Sequence, residues 1–311
     1  SRLPLKGTGN SLPMWEKQLQ AIKQGDRKTL ARLISLVENQ TEGVESLLQS
    51  LPAGNTPVIG ITGPPGAGKS TLVDALLDQW VSQGKKVAVV CVDPSSPFHQ
   101  GALLGDRIRM SDWYTHANVY IRSLASRGSM GGLHPRIIEI CDVLQQADFD
   151  WILLETVGVG QSEVEIASLA DVTAVVLVPE AGDEVQTMKA GLMEIADLFI
   201  VNKTDRPDAA LFVKNIKAML APGLAHRDAD IPVLQTVAAK KEGIREVQET
   251  LIKLCEQKNE LSKKATLLAE KAFQLIEAQR MQDIRKETLK KEIEEELIKG
   301  SFNLYRFAAK H

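Results

Sequence analysis

From Val58 onward the chain is punctuated by short, unbroken apolar runs: VIGITG (58–63), KVAVVCVD (86–93), VYIRSLA (119–125), WILLETVG (151–158), TAVVLVPE (173–180), LFIVNK (198–203) and PVLQTVA (232–238). These runs are β-branched and continuously apolar rather than alternating, which suits strands covered on both faces. Helix-length polar stretches separate them, so the pattern predicts an α/β fold with a mostly parallel, doubly wound sheet. Residues 1–13 carry Gly, Pro and Ser and read as a loose tail. Residues 14–50 show helical spacing, with Trp15, Leu19, Ile22, Leu30, Leu33 and Leu36 as the apolar set, and LPAGNTP (51–57) then breaks the pattern. From 256 to 299 the character changes again: ten acidic and ten basic residues surround Leu261, Leu268, Leu275, Ile284, Ile293 and Leu297. That segment predicts either a solvated helix pair or a dimerising helical arm. The expected division is a helical extension over 1–55, an α/β domain over 56–255 and a helical arm over 256–311.

Composition narrows the class. With 44% hydrophobic and 25% charged residues over 311 positions, the chain can build a large core without disulfide or metal staples. A net charge of −3 argues against general nucleic-acid binding. No apolar run reaches the roughly 20 residues of a membrane span. Cys91, Cys141 and Cys255 are scattered and form no CxxC pair, which fits a reducing compartment. No secretory signal is visible. The expected location is the cytoplasm, or the mitochondrial matrix if a leader has been removed ahead of Ser1.

The chemistry begins at GPPGAGKS (63–70), between an apolar run and the helical TLVDALLDQW. It fits G-x-x-x-x-G-K-[ST] at every fixed position. Gly63, Gly66 and Gly68 allow the backbone to curl its N–H groups toward phosphate oxygens, and Pro65, Ala67 and Thr71 complete the cradle. The helix start adds a favourable partial charge for an anion. Lys69 is placed to reach the β/γ-phosphates and Ser70 to put its hydroxyl on Mg²⁺. A chance glycine loop is the bland alternative, and the strand before and helix after weigh against it.

The base is addressed by NKTD (202–205), at the end of LFIVNK. The Asp205 carboxylate can accept from the ring N–H and exocyclic amine of guanine, and adenine would leave it unpaired. Asn202 and Lys203 would brace the loop and lie along the base. A backbone N–H near Ala238 could serve the guanine oxygen, although Val237 stands where a serine is usual. Three acids sit where Mg²⁺ would need an oxygen ligand: Asp93 at the end of KVAVVCVD, Asp106 in GDRIRM (105–110), and Glu155. For Asp106, Arg107 and Arg109 offer the plainer reading of local salt partners.

Taken in order, GPPGAGKST, VDPSS, GDRIRM, RGSMGGL, ETVGVGQSE, AGDEVQTMKAGLMEIAD and NKTD resemble the MeaB/ArgK-type GTPases, G-protein chaperones of adenosylcobalamin-dependent methylmalonyl-CoA mutase and related acyl-CoA mutases. The resemblance spans about residues 14–300. It implies a P-loop GTPase that binds GTP and GDP with Mg²⁺, gates cofactor loading and protects the mutase from inactivation. It makes Glu155 a normal strand end, with Gly158 sensing the γ-phosphate. Asp93 and Asp106 resemble the first switch, and Glu155, Gly158 and Gln161 the second. Asp183, Glu184, Gln186 and Lys189 resemble a third switch that relays nucleotide state to the mutase. That segment usually starts Gly-rich, whereas this chain has Glu180 and Ala181; Ser129 stands where a histidine is common. The helical tail resembles the family's arm, which implies a homodimer. Lys69 is expected to stabilise phosphate charge. Gln161 either positions the attacking water or caps the next helix.

Two other classes compete. A P-loop kinase or transport-linked ATPase would need an acceptor site and would leave NKTD unexplained. A metal-delivery GTPase of the nickel-insertion kind usually carries His-rich tracts, and the histidines here, at 99, 116, 134, 226 and 311, are isolated.

Overall fold

The structure is a computed structural model that describes residues 12–93, 110–125, 133–156, 165–181, 191–220, 230–258, 261–281, 283–299 and 302–310. These divide into two compact units, residues 1–260 and residues 261–311.

All seven apolar runs appear as strands of one sheet: β1 (Val58–Thr62), β2 (Val87–Asp93), β3 (Val119–Ala125), β4 (Trp151–Thr156), β5 (Val172–Leu177), β6 (Leu198–Val201) and β7 (Val233–Gln235). Their order is β3-β2-β4-β1-β5-β6-β7, and each neighbouring pair is parallel. Parallel pairing puts every strand's carboxyl end on one edge. The chain moves outward from β1 to β2 and β3, returns to β4, then crosses β1 to reach β5. The order therefore reverses beside β1, where open α/β sheets form their ligand crevice.

Strand pleating explains why the runs are apolar throughout. Ile59, Ile61, Val87, Val89 and Leu153 enter one core cluster, while Val58, Ala88, Val90, Val92, Ile152 and Leu154 enter another on the opposite face. The first cluster packs against α4 (Lys69–Ser82) and α8 (Ile244–Lys258), with Trp80 fully buried and stacked on Trp151 at 5.4 Å between ring centroids. The second packs against the N-terminal helices α1 (Leu12–Lys23), α2 (Arg27–Glu38) and α3 (Val44–Ser50) and against α5 (Ile137–Leu144). Helix α2 starts at Asp26, whose side chain accepts from the N–H groups of Lys28 and Thr29. Among the described residues this unit also has α6 (Gly191–Ile195) and α7 (Ala209–Met219). Both edge strands depart from the two-face expectation. In β3, Tyr120, Ile121, Arg122 and Ser123 are half-buried. At the other edge lies β7, so Val233 and Leu234 are half-buried and Gln235 is exposed.

The second unit holds α9 (Leu261–Arg280), α10 (Lys286–Ile298) and α11 (Leu304–Ala308). It leaves large apolar side chains in solvent, among them Phe273, Ile276 and Ile298, the last 86% exposed. Among the described residues no helix is long and apolar enough to cross a membrane.

Trp80→Ala should destabilise the first unit by about 3–5 kcal/mol, because it empties a closed site that also loses its ring partner. Urea unfolding measures this, and a loss below about 1 kcal/mol would show that the stack contributes little.

Candidate functional site

Strand β1 ends at Thr62 and α4 begins at Lys69, so six residues form the intervening loop. Its base is fixed by a hydroxyl pair, Thr156 Oγ1 donating to Thr62 Oγ1 at 3.0 Å, which locks the ends of β4 and β1 together. Two glycines are demanded by space as well as by backbone angle. Gly63 has φ +136°, and a Cβ there would lie 2.1 Å from the Val176 carbonyl oxygen. Gly68 has φ +88°, and a Cβ would lie 2.4 Å from Asn202 Nδ2.

The cations and acids converge around this loop. Lys69 is buried and its ammonium donates to the carbonyls of Gly63 (2.8 Å) and Pro64 (3.0 Å). Lys203, in left-handed backbone at φ +59°, donates from Nζ to the Gly66 carbonyl at 2.8 Å. Ser70 Oγ donates to Glu155 Oε1 at 2.5 Å, and the buried Glu155 also faces the Cys91 thiol, 4.0 Å from Oε2. A cleft of about 300 Å³ opens here, lined by Pro65, Gly66, Gly68, Lys69, Ser70, Thr71, Cys91, Glu155, Thr156 and Lys203.

Besides Lys203, a second side chain joins the 202–205 loop to this cradle. Asn202, 2% exposed, donates from Nδ2 to the Ala67 carbonyl at 3.0 Å. Its Oδ1 accepts from Thr236 Oγ1 at 3.1 Å and from the Ala238 N–H at 3.0 Å. The backbone N–H and hydroxyl of Thr204 both donate to the Thr236 carbonyl at 3.1 Å. Asp205 projects outward and pairs with Lys240 at 3.1 Å. That Lys240 hydrogen bond holds the Asp205 carboxyl below its ordinary value, with Arg206 adding to the same effect.

The sequence expectations meet this geometry as follows. Gly63, Pro65, Gly66, Ala67, Gly68, Lys69, Ser70, Thr71, Glu155, Asn202, Lys203 and Asp205 come together at the carboxyl edge around β1, β4 and β6. Ala238 lies beside them, its N–H donating to Asn202 Oδ1 at 3.0 Å. The backbone of Asp93 closes β2 opposite Ala125, while its side chain lies outside the description. Asp106, Gly158, Gln161, Asp183, Glu184, Gln186 and Lys189 also lie outside the described residues. Sequence reasoning missed Thr236, Lys240, Cys91 and the Thr62–Thr156 pair. TVAAKK offered a basic residue close after the last strand, which was the one local signal for Lys240; the others depend on which strands become neighbours.

The profile of the family described as "Methylmalonyl Co-A mutase-associated GTPase MeaB" matches residues 30–296. The chain belongs to the MeaB family. A putative GTPase of Pyrococcus abyssi is 46% identical over 246 residues, covering 76% of this chain and 75% of that protein. The GTPase ArgK of Escherichia coli is 42% identical over 195 residues, covering 61% and 59%. A mitochondrial methylmalonic aciduria type A homolog of Mus musculus is 35% identical over 249 residues, covering 73% and 60%. Among solved structures, the crystal structure of an LAO/AO transport system kinase superposes with a TM-score of 0.67 at 25% identity, covering 99% of this chain and 98% of that one. As a MeaB-family protein the chain is a P-loop GTPase and binds guanine nucleotide.

Replacing Lys240 by Ala should return the Asp205 carboxyl toward its ordinary value near 3.8. The sign is that of a depressed acid: the ion pair favours the folded loop above that value and is lost as pH falls through the lowered one. Carboxyl-carbon NMR titration of wild type and variant checks it; an unchanged Asp205 titration would mean that Lys240 does not hold the carboxylate.

Proposed function

We propose that this GTPase hydrolyses GTP with Mg²⁺ and serves as a chaperone for an adenosylcobalamin-dependent acyl-CoA mutase of the methylmalonyl-CoA type, gating cofactor loading and protecting the mutase. The observation that carries the nucleotide half is the Asn202 side chain. It ties the phosphate cradle at Ala67 to the loop that carries Asp205 and to the loop after β7. The family's name supports the partner half.

The residues fit Mg²⁺. Ser70 and Glu155 bring a hydroxyl and a buried carboxylate within 2.5 Å of each other, and hard oxygen donors are what this ion takes. Ser70 would hold it, with Glu155 beside it and Asp93 and Asp106 as the expected first-switch acids. When bound, the ion neutralises charge on the β- and γ-phosphates. The chain's own residues do the rest. The loop between Gly63 and Gly68 binds the phosphates through backbone N–H groups, and Lys69 exchanges its carbonyl partners for phosphate oxygens. Asp205 reads guanine, with Lys203 along the base. Gln161 and Gly158 belong to the proposed second switch, and Asp183, Glu184, Gln186 and Lys189 to the third.

We further propose a homodimer formed through residues 256–311. The support is the row of exposed apolar side chains on α9, which a solvated helix does not need.

Calorimetry of GDP and ADP in Mg²⁺ tests the base assignment. GDP should bind far more tightly than ADP, and Asp205→Asn should weaken GDP by at least tenfold, since a two-point contact to the base is broken. ADP binding as strong as GDP would overturn the reading. Lys69→Ala should lower GTP turnover by about a hundredfold or more, measured by phosphate release. Retained turnover would remove Lys69 from the site.

A further inference from the structure

The loop that carries Asp205 is a tight turn. It leaves β6 at Val201, passes through Lys203 in left-handed backbone, and closes with the Arg206 N–H donating to the Lys203 carbonyl at 3.1 Å. Its inner half is anchored deep in the fold by Asn202 and Thr204. Its outer half reaches solvent, and there side-chain charges do the anchoring. Lys240 takes Asp205 Oδ2 from one side. On the other side the Arg206 guanidinium pairs with the carboxylate of Glu180, in the short turn Pro179–Ala181 that follows β5.

Strands β5 and β6 are neighbours in register, Leu177 opposite Val201, so the two turns leave the sheet side by side. Four charges of alternating sign thus run along the rim: Glu180, Arg206, Asp205, Lys240. The guanidinium also pulls on the Asp205 carboxyl and is the largest influence holding Glu180 ionised. A planar guanidinium seated on a carboxylate keeps a fixed direction better than an ammonium does.

We propose that Arg206 and Glu180 are positioning residues for guanine recognition: their ion pair braces the outer half of the base loop against the end of β5 and keeps the Asp205 carboxylate aimed at the base. The proposal rests on Asp205 reading guanine. Two consequences follow. Base affinity and the conformation of the β5 exit become linked quantities, because each pulls on the same pair. And the contribution is electrostatic at a half-exposed site, so salt weakens it.

The test is a double-mutant cycle on the full chain: Glu180→Ala, Arg206→Ala, both together, and Arg206→Lys, with Asp205→Ala as the control for the base reading. GDP and inosine diphosphate, which lacks the exocyclic amine, are titrated at about 0.05 M and about 1 M salt. Either alanine variant should weaken GDP by about threefold at low salt, in line with an exposed pair. It should also shrink the preference for GDP over inosine diphosphate, which a merely less stable loop would not change. The double variant should be no weaker than the single ones, Arg206→Lys should recover part of the loss, and high salt should erase it. Losses that multiply in the double variant, or an unchanged nucleotide preference, would overturn the brace. If Asp205→Ala itself leaves GDP affinity and preference intact, the base reading fails and the brace falls with it. If Asp205→Ala abolishes the preference while the Glu180 and Arg206 variants match wild type, the base reading stands and the brace alone is wrong.

Discussion

At the carboxyl edge three loops are tied together by the hydrogen bonds of one buried amide. Asn202 donates to Ala67 in the phosphate loop and accepts from Thr236 and Ala238 in the loop after β7. Three segments far apart in sequence therefore share one small, fully enclosed group. Buried amides of this kind are costly when any partner is missing. The cost makes the arrangement nearly all-or-none, so the three loops share one mutual geometry. Gly68 shows how close the fit is, since even a methyl group there would strike the Asn202 amide. The parallel sheet makes this convergence available, because β1, β6 and β7 all deliver their exits to the same edge.

Much of this was legible in the residues. Seven apolar runs announced seven strands because the five inner ones are covered on both faces, and strands with two buried sides cannot carry polar alternation. The phosphate loop was legible because its function fixes residue types at fixed spacing within eight positions. NKTD was legible for the same reason. What local pattern could not show is pairing across the fold. Thr236 and Ala238 meet Asn202 only because β6 and β7 are neighbours. Arg206 meets Glu180 only because β5 and β6 are. A residue's own neighbours in sequence carry no trace of such contacts. Ala238 shows this: its N–H meets a side chain 36 residues away, a contact that nothing around Ala238 in the sequence announces.

The β7 strand teaches the same lesson at lower stakes. Its sequence resembles the buried strands, yet it forms the border of the sheet and is partly wet. Apolar content says that a run can be covered; topology decides whether it is.

The ammonium groups of Lys69 and Lys203 rest on carbonyl oxygens of Gly63, Pro64 and Gly66. The cradle is thus held in shape by these two cations, of which Lys69 is the one proposed to face phosphate. Little chain entropy has to be surrendered when an anion arrives, because the loop is already ordered. Lys69 need only swing from a weak neutral acceptor to a stronger charged one. Association should then be governed by diffusion and charge attraction rather than by a slow folding of the loop, and the lifetime of the bound nucleotide is left to the contacts made afterwards.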